Sequence, residues 1–195
     1  MKLERSFYTR QDVVQIARDL IGKYIFTNFD GEVTGGIIIE TEAYEGVTDR
    51  ASHAYGGRRT ARTEVMFGDG GTAYVYLCYG IHSLFNIVTN TTDNPHAVLI
   101  RGIYPVVGLE IMKKRARKEA LLPGYGSGPG KVSKLLGIHY SHSGIDLLGD
   151  KIWIENRGLM STAEILTGPR IGVEYAGEDA NLPYRFRIPE EYVIK

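Results

Sequence analysis

The chain has 195 residues, a length that suits one domain of ordinary size and buries roughly two-thirds of its unfolded surface without a covalent staple. Lysine plus arginine balance aspartate plus glutamate at 23 each, so the net charge is zero; this argues against a protein that coats nucleic acid and leaves room for a local basic face. A lone cysteine, Cys78, excludes an internal disulfide and suits a reducing compartment. Met1-Lys2-Leu3-Glu4-Arg5 lacks the apolar core of a signal peptide, and the apolar runs are too short to span a bilayer, so a cytoplasmic protein is expected.

In chain order, Thr9-Arg10-Gln11-Asp12 reads as a helix start, with Thr9 as the cap and Asp12 at capping-box spacing. Val13, Val14, Ile16, Ala17, Leu20 and Ile21 then recur at helical intervals, and Gly22 is the stop. Residues 23–29 alternate as a strand, and Asp30-Gly31 is a hairpin turn. A second strand begins at Gly35 with both faces apolar. If it stays extended to Tyr44, then Glu40, Glu42 and Tyr44 project from one face. Burying such groups without a purpose is costly. Residues 45–70 have little periodicity, and a loop of that length in a small domain is usually functional.

Strands follow at 72–78, 83–89 and 97–100, the last ending in Arg101, with turns at Tyr79-Gly80 and 90–95. A helix over 108–120 carries Lys113, Lys114, Arg115, Arg117 and Lys118, which either complement the helix dipole or contact phosphates. The run from Pro123 to Gly130 invites a phosphate-loop reading that its residues refuse. Tyr125 stands where a Walker motif needs glycine, and Val132 where it needs Ser or Thr; Lys131 breaks the dinucleotide fingerprint. What remains is a loop entering a short helix over 130–136, whose free N–H groups could hold a phosphate. A turn at 141–144, a strand at 152–155 and a final strand at 184–188 complete the chain. Short, consecutive strands and 24 glycines predict an α+β fold in a single domain over 1–195: a curved, largely antiparallel sheet with helices around it.

Glu42 is the best candidate for a general base, against the alternative of a structural ion pair. Tyr44, Tyr74, Tyr76 and Tyr79 crowd the strand ends with His53 nearby in sequence. Flat rings with polar edges suit a heterocycle, whose face is worth ~1–3 kcal/mol in stacking, although tyrosines also simply fit strands. His139-x-x-His142 with Asp146 lacks a partner motif, so neither a metal nor another cofactor is expected. Cys78, placed mid-strand, reads as a buried thiol.

Set in order, Ile39-Glu40-Thr41-Glu42-Ala43-Tyr44, Ala51-x-His53, Arg58-Arg59-Thr60-x-Arg62, Met66-Phe67, Tyr74-Val75-Tyr76-x-x-Tyr79-Gly80, Asn86, Val98-Leu99-Ile100-Arg101, Ser127-Gly128-Pro129-x-Lys131, Pro169-Arg170-Ile171-Gly172-Val173 and Tyr175-Ala176-Gly177-Glu178 resemble the alkyladenine (3-methyladenine) DNA glycosylase family. The resemblance runs from about Phe7 to Phe186. It implies a monofunctional base-excision enzyme acting as a monomer on double-stranded DNA. Such an enzyme flips out damaged purines (3-methyladenine, 7-methylguanine, hypoxanthine, ethenoadenine) and hydrolyses the N-glycosidic bond. In a bacterium it would be associated with the nucleoid. By the same resemblance Glu42 activates the water, and Arg101 and the backbone carbonyl of Ile171 help to hold it. Tyr44, His53 and Tyr76 wall the base pocket, and Asn86 obstructs the 2-amino group of normal guanine. Tyr79 is the wedge that fills the gap in the duplex. His82 stands where many members place a minor-groove aromatic. Met66 and Arg58 fall with the DNA-contacting residues, although Arg58, Arg59 and Arg62 either touch phosphates or brace their loop. The same pocket leaves two other readings open, a nucleoside hydrolase and a damage-binding protein without turnover.

Overall fold

The structure, a computed structural model, describes residues 1–158 and 165–189. One turn of helix, α1 (Arg5–Tyr8), precedes α2 (Val13–Leu20). Thr9 does not cap α2; its hydroxyl turns back to the Arg5 carbonyl at 3.3 Å, closing α1, and Asp12 caps instead by accepting from the Gln15 amide at 2.8 Å. The strands are β1 (Tyr24–Phe29), β2 (Glu32–Tyr44), β3 (Ala73–Cys78), β4 (His82–Thr89) and β5 (His96–Val107). Two helices follow, α3 (Leu109–Ala116) and α4 (Pro129–Leu136), then β6 (Ile152–Glu155), β7 (Leu166–Gly168) and β8 (Arg185–Arg187). The fold is α+β.

The pairings are antiparallel in one sheet of order β3-β4-β5-β2-β1-β6, with β8 on β2 and β7 on β8. The hairpin at Asp30-Gly31 holds, with φ of 54° and 82° at its two residues. Two further expectations need correction. The strand expected to end at Arg101 runs on to Val107, because β2 offers it a partner along its whole length. The helix expected to reach residue 120 stops at Ala116, where Arg117 turns left-handed at φ 57°. The three-residue β7 was not among the expected strands.

One sheet face packs on α2, α3 and α4 through Ile16, Leu20, Ile38, Phe85, Ile100, Ile103, Met112 and Leu135. Thr41 seals this contact by donating to the Ala17 carbonyl at 2.8 Å. The alternation of β2 and β5 breaks on the way to the site. Ile39 and Arg101 have no cross-strand partner where the β2–β5 register shifts, so each strand carries an extra residue there. Ile38 therefore shares the core face with Ala43, while Glu40, Glu42 and Tyr44 share the other. The bulge in β5 turns Arg101 to that same side, between two carboxylates. Without these irregularities strict alternation would put the two glutamates on the same face as Ile38.

Candidate active site

The second sheet face opens into a cavity of about 270 Å³ lined by Tyr44, His53, Met66, Tyr74, Tyr76, Tyr79, Asn86, Arg101 and Ile171. The loop over 45–70, with short 3₁₀ turns at Tyr55–Gly57 and Glu64–Phe67, closes one wall and brings in His53 and Met66. The His53 and Tyr76 rings meet edge to face at 4.7 Å, and Tyr74 and Tyr76 lie 5.5 Å apart. Arg62 sits over Tyr76 at 4.7 Å from the ring centre and donates to His53 Nε2 at 3.3 Å. Because arginine only donates, Nε2 accepts and the imidazole proton rests on Nδ1, 2.8 Å from the Tyr74 hydroxyl.

Glu42 is 0% exposed and stands one hydrogen bond behind the cavity wall. Three wall residues reach back to it. The Ile171 amide donates to Oε1 at 2.8 Å, the Tyr44 hydroxyl donates to Oε2 at 2.9 Å, and Arg101 Nε lies 3.4 Å from Oε1. The expectation for Ile171 concerned its carbonyl; the contact in the structure is through its N–H. A buried carboxylate held by oriented donors and one shared cation is suited to taking a proton from water next to it.

The glycine-rich loop before α4 also serves this wall. The Gly128 amide donates to the Arg101 carbonyl at 2.8 Å, Ile103 donates to the Gly126 carbonyl at 3.1 Å, and Gly102 bridges to Ser127. A Cβ on Gly126 would lie 2.0 Å from the Ile103 carbonyl oxygen, so the close approach requires glycine. The loop that resembled a phosphate cradle thus hydrogen-bonds the bulged backbone around Arg101. Sequence reasoning missed this, although four glycines within seven residues were its visible signal.

Tyr79 is 92% exposed at the tip of the β3–β4 hairpin with φ 50°, a left-handed conformation that a bulky side chain rarely adopts. His82 is exposed at the first pair below the hairpin tip, opposite Cys78 and beside Gly130. Asn86 is buried and donates from Nδ2 to the Tyr74 and Leu84 carbonyls at 3.2 and 3.3 Å. Met66, placed by sequence among DNA-contacting residues, is buried and forms cavity floor instead. Cys78 is not buried but half-exposed at the cavity edge, because β3 ends there. Arg58 lies with Arg50, Arg62 and Thr60 in a polar cleft that shares His53 with the cavity. Arg59 is instead paired with Glu64 and Asp93, and Arg115 with Glu32, so these two brace the fold. His139 and His142 cap one another's 3₁₀ turn.

The family model for methylpurine-DNA glycosylase matches residues 6–192. The chain belongs to the methylpurine-DNA glycosylase family. It is a DNA glycosylase, a hydrolase of the N-glycosidic bond whose substrate is DNA. This sets aside both the nucleoside hydrolase and the binding protein without turnover. Relatives named "Putative 3-methyladenine DNA glycosylase" include one from Chlamydia felis, 44% identical and covering 94% of each chain. Others come from Desulfitobacterium hafniense, 38% identical over 99% of this chain and 98% of the relative, and Bacillus cereus, 42% identical over 95% of each.

The glycosylase's cavity shifts the protonation of its own walls. Burial is the main force raising the Glu42 carboxyl; Arg101, the Ile171 amide and Tyr44 pull it back down, and Glu40 adds to the rise. Tyr44 is held well above the usual phenol range by burial and then by Glu42, so it stays a donor. His53 is lowered to about 4 by burial and by the charges of Arg62 and Arg58, so it is neutral at pH 7. No described helix is long and apolar enough to cross a membrane.

Proposed function

We propose that this DNA glycosylase, as a monomer on duplex DNA, flips an alkylated or deaminated purine (3-methyladenine, 7-methylguanine, hypoxanthine or ethenoadenine) into the aromatic cavity. There it hydrolyses the N-glycosidic bond and leaves an abasic site. The observation that carries the reading is the placement of Glu42 directly behind the wall formed by Tyr44, Arg101 and Ile171.

Extruding a base costs a few kcal/mol of lost stacking and pairing. Contact with Tyr44, His53 and Tyr76 offsets this, and Tyr79, projecting from its strained turn, fills the gap left in the duplex. An alkylated purine is cationic, so the π faces attract it and its bond to the sugar is already weakened. What the reaction then needs is a positioned water and a carboxylate near the developing sugar cation. Glu42 supplies both functions when ionised: it takes the proton of a water admitted between Arg101 and Ile171, and its charge faces C1′. Asn86 has its Nδ2 committed to two carbonyls, which fixes the side chain where it would obstruct a guanine 2-amino group. His82 and Arg58 extend the DNA-contacting surface on either side of the opening.

The test is single-turnover base release from a duplex carrying one hypoxanthine or ethenoadenine, read as strand breaks after alkaline heating. Glu42→Gln should bind the damaged duplex and slow release by about 10³-fold. Release at the wild-type rate would contradict the assignment. Tyr79→Ala should weaken binding to the damaged duplex more than it slows release from an unpaired base; equal losses would count against the wedge.

A further inference from the structure

Glu42 is the last of four alternating charges. Arg185 Nε donates to Glu40 Oε1 at 2.5 Å, the same oxygen lies 3.4 Å from Arg101 Nε, and Arg101 Nε is 3.4 Å from Glu42 Oε1. Arg101 Nε thus stands equally far from two carboxylates and, although buried, makes no regular hydrogen bond to either. The row is built across three strands: Arg185 from β8, Glu40 and Glu42 from β2, Arg101 from the bulge of β5. Glu40 and Arg185 do not line the cavity; they open onto a separate surface cleft with Arg187 and Ser127.

The geometry points to Glu40 and Arg185 as a positioning pair for the reaction: by holding Arg101 from its far side, they set how much of its charge reaches Glu42, and with it the pH at which the enzyme begins to work. The inference rests on the reading of Glu42 as the base. Glu40 competes with Glu42 for one cation, and Arg185 limits that competition by neutralising Glu40. Too strong a hold by Arg101 would make Glu42 a feeble base, and too weak a hold would leave it protonated. The other charged or titratable groups facing Glu42 are Tyr44 on β2 and Arg170 beside Ile171; Arg187 pairs with Glu40 in the β8 register. None of these lies between Arg101 and Glu42.

The pair makes predictions of opposite sign. Removing Glu40's charge frees Arg101 for Glu42 and eases its ionisation. Removing Arg185's charge leaves Glu40 uncompensated, draws Arg101 away and hinders ionisation. A merely structural role would lower activity in both variants without moving the pH profile.

The experiment is single-turnover excision of 7-methylguanine, a base that needs no protonation to leave, from a duplex between pH 4 and 8. Enzyme is kept in saturating excess, so the rate does not depend on the folded fraction. Glu40→Gln should move the acid limb down by about one pH unit, and Arg185→Gln should move it up by about as much. Arg185→Lys should return it toward the wild-type position. Limbs that stay in place, or that move the same way in both variants, would overturn the inference. Glu42→Gln is the control. If it excises at the wild-type rate, the base assignment itself has failed; if it is inactive while the other limbs stay fixed, only the positioning role has.

Discussion

Two arginines reach the same strand and do opposite things, one fully buried and the other half-buried. Arg170 is held through both Nη atoms, which donate to Asp49, to the Ala43 carbonyl at 2.9 Å and to the Asp179 carbonyl at 3.1 Å, while its Nε, like that of Arg101, has no hydrogen-bond partner; the Arg170–Asp49 pair is 0% and 1% exposed. Its plane also backs the rings of Tyr44 and Tyr184 at 4.8 and 5.3 Å. Arg101 is left short of a hydrogen bond, at 3.4 Å from each of two carboxylates. The first arrangement commits both Nη atoms to one carboxylate and two carbonyls and locks the loop that carries Ile171. The second keeps unspent charge next to a buried acid. Within one site, the ion pair with the better geometry is the scaffold, and the looser one holds the proposed base.

That contrast can be broken from either side. Asp49→Ala strands a buried cation and should have the largest effect on folding, a loss of about 3–5 kcal/mol measured by urea denaturation. A loss under 1 kcal/mol would remove the distinction. Arg101→Gln should act mainly on turnover, slowing excision at pH 7 by about 10–100-fold with partial recovery at higher pH. Recovery is expected because Glu42, already raised by burial, would have lost its principal counter-charge. An equal loss at all pH values would contradict this. Gly126→Ala forces a methyl group against the Ile103 carbonyl and loosens the backbone around Arg101. It should destabilise by about 1–3 kcal/mol and slow excision about tenfold; unchanged activity would mean that the loop does not hold Arg101.

The smallest effect concerns His53, which should remain neutral at pH 5.5 when followed by nuclear magnetic resonance. Its folded value of about 4 lies below the value near 6.5 of an unfolded chain, so the unfolded state takes up the proton first. The resulting loss of stability develops as pH falls from about 6.5 to about 4 and is absent above that window. A titration near 6.5 in the folded protein would show that the ring is not buried beside Arg62 as described.

Local features of the fold were legible in the sequence where their causes are local. The Asp30-Gly31 turn, the apolar stripe of α2 and the strands over 72–78, 83–89 and 152–155 follow from residues near one another. The shared face of Glu40, Glu42 and Tyr44 was also legible, and the structure joins Glu42 to Tyr44. What could not be read depends on distant partners. The bulges that turn Glu40 and Arg101 toward each other exist only once β2 and β5 pair. The Asp49–Arg170 pair spans 121 residues, and Arg185 reaches Glu40 across 145. Met66 illustrates the converse: its motif suggested contact with DNA, but packing against Phe67, Tyr74, Val88 and Ala97 took it inside.

The most direct test of the central claim is a crystal structure of the Glu42→Gln enzyme bound to a duplex with one ethenoadenine. The account predicts the purine extruded between Tyr44, His53 and Tyr76, Tyr79 in the vacated stack, and a water bridging residue 42 and the sugar C1′. A purine still stacked in the duplex, or one held where residue 42 and C1′ cannot share a water, would contradict it.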